Sequence, residues 1–202
     1  MQAFRQLDSV IVPIARANVD TDQIMPARYL QKPRVNNFGA YLFRDLRLDR
    51  SGAPNADFVL NLPAYAAGQI VVAGANFGCG SSREHAVWAL CDHGIRAVVA
   101  PSFGDIFYTN ALKNGLLPIV LPPEAVQQMI DAALATPGAR AQIDLEATRL
   151  TAPDSSTHDF QIDQRSRHCL LNGIDEIDFT LTKLDLIKAF EGRHEIAETA
   201  GQ

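Results

Sequence analysis

The chain has 202 residues, of which 47% are hydrophobic and 20% are charged. This composition is typical of a soluble globular protein with one apolar core, which favours a single domain. A net charge of −5 argues against a nucleic-acid-binding surface. No segment approaches the roughly 20 apolar residues of a transmembrane helix. The first residues lack the apolar core of a signal peptide, so we expect a cytoplasmic protein.

Three cysteines, Cys79, Cys91 and Cys169, are widely spaced and form no C-x-x-C pair. This spacing indicates neither a disulfide framework nor a zinc or iron–sulfur site held by this chain alone. The histidines show no metal-ligand spacing either. Cys79 lies in a glycine-rich bend, but the local sequence places no histidine or acid beside it. We therefore expect a packing residue rather than a nucleophile.

In chain order, the first elements are a predicted strand at 10–14 and a polar segment at 18–24. From residue 26 to about 57 the sequence has no sustained periodicity and contains several prolines and glycines. A connection of this length without regular structure is usually functional or mobile.

Strands and helices then alternate. Apolar runs predict strands at 70–73, 97–100 and 116–121, and helical patterns begin near residues 82, 102 and 123. The first two helices start with capping-box spacing, and Gly94 stands where a glycine commonly follows a helix. This alternation predicts parallel strands with right-handed crossovers, and hence an α/β fold.

The last third of the chain is less regular. Alternating polar and apolar residues predict an antiparallel pair formed by 141–150 and 159–163. Helical patterns follow around Cys169 and at 183–190. The polar tail at 194–202 is expected to fray.

The most informative stretch is residues 76–85, which reads Asn-Phe-Gly-Cys-Gly-Ser-Ser-Arg-Glu-His. It connects a predicted strand to a predicted helix, so Ser81, Ser82 and Arg83 are expected at a helix N-terminus. Free backbone N–H groups and the helix dipole favour anions there, and an arginine fork suits a carboxylate or a phosphate. The pattern predicts a site for a small anionic substrate.

A purely structural interpretation of the same residues is also open. Ser81 and Glu84 have the S-x-x-E spacing of a capping box, in which each side chain satisfies a backbone donor. Gly78 and Gly80 suit positive φ in a tight connection. We expect His85, in the first turn of the helix, to be a hydrogen-bonded structural residue rather than a base.

Other motifs give weaker indications of function. Arg83 stands where a dinucleotide fingerprint needs a small residue for close packing, and no G-x-x-x-x-G-K-[ST] or G-x-S-x-G motif is present. The segment Asp20-Thr21-Asp22 has too few further ligands nearby to indicate a metal site. Asp/Thr clusters usually mark turns or helix caps, because their side chains bond to the local backbone.

Taken together, five segments resemble those of a known family. In order, they are residues 18–24, 76–85, 102–107, 114–118 and 172–175. The chain is similar over about 7–191 to the small subunits of 3-isopropylmalate dehydratase, in the aconitase superfamily. The Gly-Ser-Ser-Arg-Glu-His core with an upstream Asp-Thr-Asp is specific to that superfamily.

This resemblance implies a fold, a partner and a reaction. The fold is a swivelling three-layer β/β/α domain of the aconitase C-terminal type, with parallel strands in the 70–121 region and residues 1–202 in one domain. The partner is a separate large subunit, which carries a [4Fe-4S] cluster on its own cysteines, so this chain holds no metal. The implied reaction is the hydro-lyase isomerisation of 2- and 3-isopropylmalate through isopropylmaleate, in leucine biosynthesis.

The resemblance also implies residue roles. Ser81 is the base that moves the substrate proton, and Asp22 lies in the active site beside histidines of the cluster-bearing part. Ser82 hydrogen-bonds a substrate carboxylate, and Arg83 pairs with it. Gly78 and Gly80 form the bend whose backbone donors surround these groups.

The sequence leaves alternatives open for which residues read the substrate and for which diacid is the substrate. The Tyr29-Leu30 pair is implied to face the isopropyl group, whereas Arg34 stands at the offset of the arginine that reads the third carboxylate in aconitase. Lys32 adds a further cation to this loop. Related small subunits act on methylmalate/citraconate or dimethylmaleate-type diacids, and a non-catalytic binding module with the same fold is the alternative outside catalysis.

Overall fold

The structure, a computed structural model, describes residues 1–35 and 37–200, with side chains described as far as residue 193. In that part of the chain, seven strands form a sheet in the order β4-β3-β2-β1-β5-β6-β7. The strands are β1 (Gln6–Ile14), β2 (Ile70–Ala73), β3 (Ala97–Ala100), β4 (Leu117–Val120), β5 (Arg140–Asp144), β6 (Arg149–Thr151) and β7 (Thr157–Asp159). The helices are α1 (Thr21–Ile24), α2 (Arg44–Arg47), α3 (Glu84–His93), α4 (Asp105–Lys113), α5 (Pro123–Ala135), α6 (Gln164–Asn172), α7 (Glu176–Leu181) and α8 (Leu184–Ala200).

Strand β1 belongs to two ladders. Its second half, residues 11–14, pairs in parallel with β2, and β3 and β4 extend that parallel ladder. Its first half, residues 6–10, pairs antiparallel with β5, and β6 and β7 extend the antiparallel ladder. The predicted parallel strands in the 70–121 region are confirmed, and the sheet as a whole is mixed.

The parallel strands are buried on both faces. Val71 and Ala73 point into one apolar cluster with residues of α3, whereas Ile70 and Val72 point into another with residues of α5. Burial on both faces is the reason these strands consist of continuous apolar runs.

Residues 26–35 and 37–57 contain several short helical turns, one of which packs beside α3. Besides α2, 3-10 turns lie at Ala27–Tyr29 and Phe38–Tyr41. Phe38 is buried. At Gly39 a Cβ atom would lie 2.5 Å from the backbone nitrogen of His93, so only glycine allows this approach to the end of α3. The segment without periodicity is thus anchored against a helix.

Two helix starts differ from the sequence prediction. Neither α3 nor α4 has a side-chain hydrogen bond at its N-cap. The capping boxes predicted from Ser81 with Glu84 and from Ser102 with Asp105 are therefore wrong. Ser102 instead accepts a hydrogen bond from the backbone nitrogen of Asn76 at 2.9 Å, which joins two loops. The predicted glycine after the first of these helices is confirmed, since Gly94 caps α3 with φ of 102°.

The C-terminal third differs in its pairing. Residues 141–150 contain a turn of their own and fold back as β5 and β6. Their predicted antiparallel pairing with 159–163 is found only between Arg149 and Asp159, because β7 ends at Asp159 and Asp163 caps α6. The predicted helices around Cys169 and at 183–190 are confirmed.

The chain remains helical to Ala200, where fraying was expected, and residues 201–202 lie outside the described residues. No helix in the described part of the chain is long and apolar enough to cross a membrane.

Candidate active site

Three loops meet at the carboxyl ends of β1, β2 and β3. The carboxyl ends of parallel strands lie at one edge of a sheet, where ligands commonly bind. Phe77 donates its backbone N–H to the carbonyl of Ser102 at 3.1 Å, which joins the loops after β2 and β3. Gly78 donates to the carbonyl of Val19 at 2.7 Å, which joins the loops after β1 and β2.

Thr21 fastens the loop after β1 to the serine-containing bend. Its backbone N–H donates to the carbonyl of Cys79 at 2.9 Å. Its hydroxyl donates to the carbonyl of Ser81 at 3.0 Å, across 60 residues of sequence. The Nδ2 of Asn76 also donates to the Oδ1 of Asn18 at 2.8 Å. The Asp-Thr-Asp and Ser-Ser-Arg segments, which sequence reasoning placed in one site, are therefore in direct contact.

The two aspartates of this segment have different partners. Asp20 caps α1 and accepts a hydrogen bond from the backbone of Gln23 at 2.7 Å, as expected for an Asp/Thr cluster at a helix start. Asp22 accepts from the backbone nitrogen of Ala27 at 3.0 Å and forms an ion pair with Arg83. The Arg83 guanidinium lowers the pKa of the Asp22 carboxyl below its ordinary value, so Asp22 is an anion at neutral pH.

Arg83 is only partly satisfied by this ion pair. Its side chain is 14% exposed, against 55% for Asp22. Its Nη1 is buried in ion-pair contact with the Asp22 carboxylate, and the described residues give the guanidinium no other hydrogen-bond partner. The remaining N–H groups of the guanidinium can therefore donate to a further oxygen ligand.

Ser81 and Ser82 are exposed, and neither hydroxyl has a hydrogen-bond partner among the residues that the structure describes. Both precede α3, whose first backbone N–H groups receive no side-chain cap. The two hydroxyls are thus available to a ligand at a helix N-terminus, next to an arginine that still has N–H groups to donate.

The predicted positive φ angles are confirmed at Gly78 (+72°) and Gly80 (+93°). At Gly78 the space is also closed, since a Cβ atom would lie 2.2 Å from the Cγ of Phe107. This glycine lets the bend lie directly on the first turn of α4.

We expect Gly78→Ala to lower the free energy of unfolding by about 3 kcal/mol, through overpacking and strained φ together. Chemical denaturation of the isolated chain measures this. Gly192→Ala is the matched control: no atom lies within 4 Å of the added Cβ, and alanine favours the helix there. Equal stability of the Gly78 and Gly192 variants would contradict the steric argument.

We expect Thr21→Val to remove the hydroxyl that holds the carbonyl of Ser81, and so to lower the free energy of unfolding by about 1–3 kcal/mol. Thr21→Ser keeps that donor and should recover most of the loss. Thr157→Val, on exposed β7, serves as the control for the same substitution. A Thr21→Val chain with wild-type stability in chemical denaturation would show that this bond contributes little.

The loop expected to read the substrate side chain is partly ordered by aromatic contacts. Tyr29 is half-buried and stacks on Tyr41, with ring centroids 4.5 Å apart, and the Arg28 guanidinium lies over the Tyr29 ring at 4.7 Å. Leu30 is half-buried beside it.

The side chain of Arg34 is directed towards α3. Its guanidinium forms a two-bond ion pair with Asp92 on α3, at 2.9 and 2.7 Å, and lies over the Trp88 ring at 5.3 Å. The role of Asp92 was not anticipated from the sequence. The partners are 58 positions apart in sequence, so no local pattern indicates the pair, and only the packing of this loop on α3 brings them together.

The side chains of His85 and Glu84 contact other residues of the domain. The His85 ring lies 4.6 Å from the Trp88 ring. Glu84 accepts a hydrogen bond from the Nδ2 of Asn114 at 2.7 Å instead of closing a capping box with Ser81.

The cysteines do not suit an iron–sulfur cluster. Cys169 is buried, and burial raises the pKa of the Cys91 thiol to about 11, which disfavours the thiolate that a metal needs. Among the side chains of residues 1–35 and 37–193, no group of three or more His, Cys, Asp or Glu converges to hold a metal ion.

Similarity to known proteins extends over nearly the whole chain. The aconitase C-terminal domain family matches residues 1–124. A 3-isopropylmalate dehydratase small subunit from Jannaschia sp. is 51% identical over 191 residues, covering 95% of each chain. That of Dinoroseobacter shibae is 48% identical over 193 residues, covering 96% of each chain. The chain belongs to the family of 3-isopropylmalate dehydratase small subunits.

A crystal structure of 3-isopropylmalate dehydratase from Methanocaldococcus jannaschii has the same fold. It superposes with a TM-score of 0.64 at 28% identity, covering 92% of this chain and 99% of that one. The predicted aconitase C-terminal fold class is therefore confirmed. A small subunit in this family implies a large-subunit partner.

Proposed function

We propose that this chain is the small subunit of a hydro-lyase that interconverts 2- and 3-isopropylmalate through isopropylmaleate, in leucine biosynthesis. One observation carries the proposal. At the carboxyl edge of the parallel strands, two free serine hydroxyls stand beside an arginine whose one partner in the described residues is the exposed Asp22 carboxylate. That arrangement suits the binding of a carboxylate with a proton-transfer group next to it.

Arg83 and Ser82 bind a substrate carboxylate in this proposal. The guanidinium fork matches a carboxylate in two-bond geometry, and the Ser82 hydroxyl adds one donor. Asp22, held as an anion by Arg83, orients the guanidinium until substrate arrives. It also faces the partner, because it is the exposed member of the pair.

Ser81 moves the proton. Dehydration takes a hydroxyl group from one carbon and a proton from its neighbour, and rehydration returns both with their positions exchanged. Ser81 accepts the carbon-bound proton in the first half and returns it in the second. A hydroxyl is a weak base, so its anionic form needs the uncapped N–H groups of the α3 start and the nearby guanidinium.

Tyr29 and Leu30 contact the isopropyl group in this proposal. The pairing of Arg34 with Asp92 supports that choice, since an arginine engaged on α3 leaves the apolar residues of the loop to read the substrate. Burying a branched alkyl group contributes roughly 0.8 kcal/mol per methylene, which favours isopropyl over smaller substituents.

The other half of the site lies on the partner. We propose that the large subunit carries a [4Fe-4S] cluster, that the two subunits form a heterodimer, and that residues 1–202 act as one swivelling domain against it. The exposure of Ser81, Ser82 and Asp22 supports a cleft that closes only in the complex. The cytoplasmic location remains a prediction from the sequence.

The test is reconstitution. The chain is mixed anaerobically with a cluster-loaded large subunit of the same family, and isopropylmaleate is followed by its ultraviolet absorbance. We expect turnover of both isopropylmalates by the complex and none by this chain alone. Turnover of methylmalate or dimethylmalate in preference to isopropylmalate would reassign the substrate. A stable complex inactive on every diacid would favour a non-catalytic binding module.

A further inference from the structure

The start of α3 presents Arg83 to the site, yet no side chain caps this helix. The first turn of a helix has backbone N–H groups without partners and frays unless something holds it. The serine that could have capped the helix is instead free and exposed. The support must therefore come from outside α3.

That support is the side chain of Asn114, at the end of α4. Its Nδ2 donates to the Oε1 of Glu84 at 2.7 Å and to the carbonyl of Asn110 at 2.9 Å. Its Oδ1 accepts from the Nε1 of Trp88 at 3.0 Å. Glu84 and Trp88 are four residues apart and lie on one face of α3, so a single amide holds two successive turns.

The orientation of this amide is determined by its neighbours. The carboxylate of Glu84 only accepts hydrogen bonds, and the indole N–H of Trp88 only donates. A flipped amide would place oxygen against oxygen and N–H against N–H. Both N–H groups and the oxygen of the Asn114 side chain are therefore engaged, which makes it a link between α4 and the first turn of α3.

Trp88 extends the link to the loop that contains Tyr29 and Phe38. Its ring makes an edge contact with Phe38, with centroids 6.1 Å apart, and lies under the Arg34 guanidinium. The two parts of the chain that are proposed to touch substrate, the turn at Arg83 and the loop with Tyr29, thus both rest on residues that Asn114 holds.

We propose that Asn114 is a positioning residue for substrate binding. Through Glu84 it fixes the first turn of α3, and with it the direction in which the preceding residue, Arg83, presents its guanidinium. The consequence for catalysis rests on the proposed function, because it requires Arg83 to bind a substrate carboxylate. The link itself can be tested in the isolated chain.

Two variants separate the bonds of Asn114. Asn114→Asp keeps an oxygen for Trp88 but places a carboxylate against Glu84. Combining it with Glu84→Gln exchanges donor and acceptor, restores the bond between residues 84 and 114, and returns the net charge to that of the wild type. The bond to the carbonyl of Asn110 stays lost in both variants. Asn114→Ala removes all three bonds. Thr109→Ala, on the exposed side of α4, is the matched control.

The first measurement uses the isolated chain. Its single tryptophan is Trp88, so fluorescence reports the indole contact directly, and hydrogen exchange of the peptide covering 81–90 reports the first turns of α3. We expect Asn114→Asp to exchange faster with unchanged emission, and Asn114→Ala to exchange faster with red-shifted emission. The Glu84→Gln/Asn114→Asp pair should exchange more slowly than Asn114→Asp and recover most of the wild-type protection. Wild-type exchange in Asn114→Asp would overturn the proposed link.

The second measurement uses the complex with the large subunit. We expect Asn114→Asp to raise KM about tenfold while kcat stays within about threefold of the wild type. The double variant should bring KM back towards the wild-type value. A general loss of folded enzyme would instead lower kcat and leave KM unchanged. Unchanged KM in an active Asn114→Asp complex would overturn the positioning role. A wild-type complex inactive on isopropylmalate, together with the expected exchange pattern, would instead refute the proposed function and leave the link standing.

Discussion

Ser81→Ala is expected to lower kcat of the assembled enzyme by about 10²–10⁴-fold, the usual contribution of a positioned general base, with little change in KM. The substitution should not disturb the fold. The Ser81 side chain is exposed and without a partner in the described residues, so the free energy of unfolding should stay within about 0.5 kcal/mol of the wild type.

The adjacent serine is the control for this experiment. Ser82→Ala removes a proposed carboxylate donor rather than the base, so KM should rise about tenfold while kcat changes little. Both variants are assayed in the same reconstituted complex, after confirming equal assembly and equal iron content. If Ser81→Ala kept kcat within about threefold of the wild type, the proton would have to move through another group.

Arg83→Lys is expected to raise KM about 30-fold, corresponding to about 2 kcal/mol of lost carboxylate binding. Lysine keeps the positive charge but cannot present the planar fork that holds a carboxylate with two bonds. Steady-state kinetics on the complex measures the change. An increase in KM of less than about threefold would show that charge alone is sufficient at this position.

Arg34→Lys is the matched control, and it also tests the alternative that the sequence left open. Arg34 is engaged with Asp92 and Trp88 on α3, so its conservative replacement should change KM much less than that of Arg83. If the two substitutions had equal effects on KM, Arg34 would have to leave Asp92 and reach the substrate in the complex.

The parallel part of the sheet was predictable because its signal is local and repeated. Ile70–Ala73 and Ala97–Ala100 are uninterrupted apolar runs, and such runs are typical of strands covered on both faces. The antiparallel pairing was only partly predictable. The alternation in residues 141–150 indicates strand, but not that the segment contains its own turn.

The helix starts were mispredicted for a physical reason. Ser81 with Glu84 has the spacing of a capping box, and local sequence does not reveal that Asn114 competes for Glu84. Side-chain hydrogen bonds are decided by which partners the fold brings near. At α3 the partner came from another helix, and that left Ser81 free.

The sequence by itself determined the order of strands and helices in the α/β region, the family, and the residue types at the site. The residue types at the site follow from local geometry and chemistry. Positive φ favours glycine, and a helix start after a buried strand suits serine and arginine as anion-binding groups. Only the tertiary structure decided which groups meet: Thr21 with Ser81, Asp22 with Arg83, and Arg34 with Asp92. These partners are distant in sequence, and their contacts depend on how loops from different strands converge at one edge of the sheet.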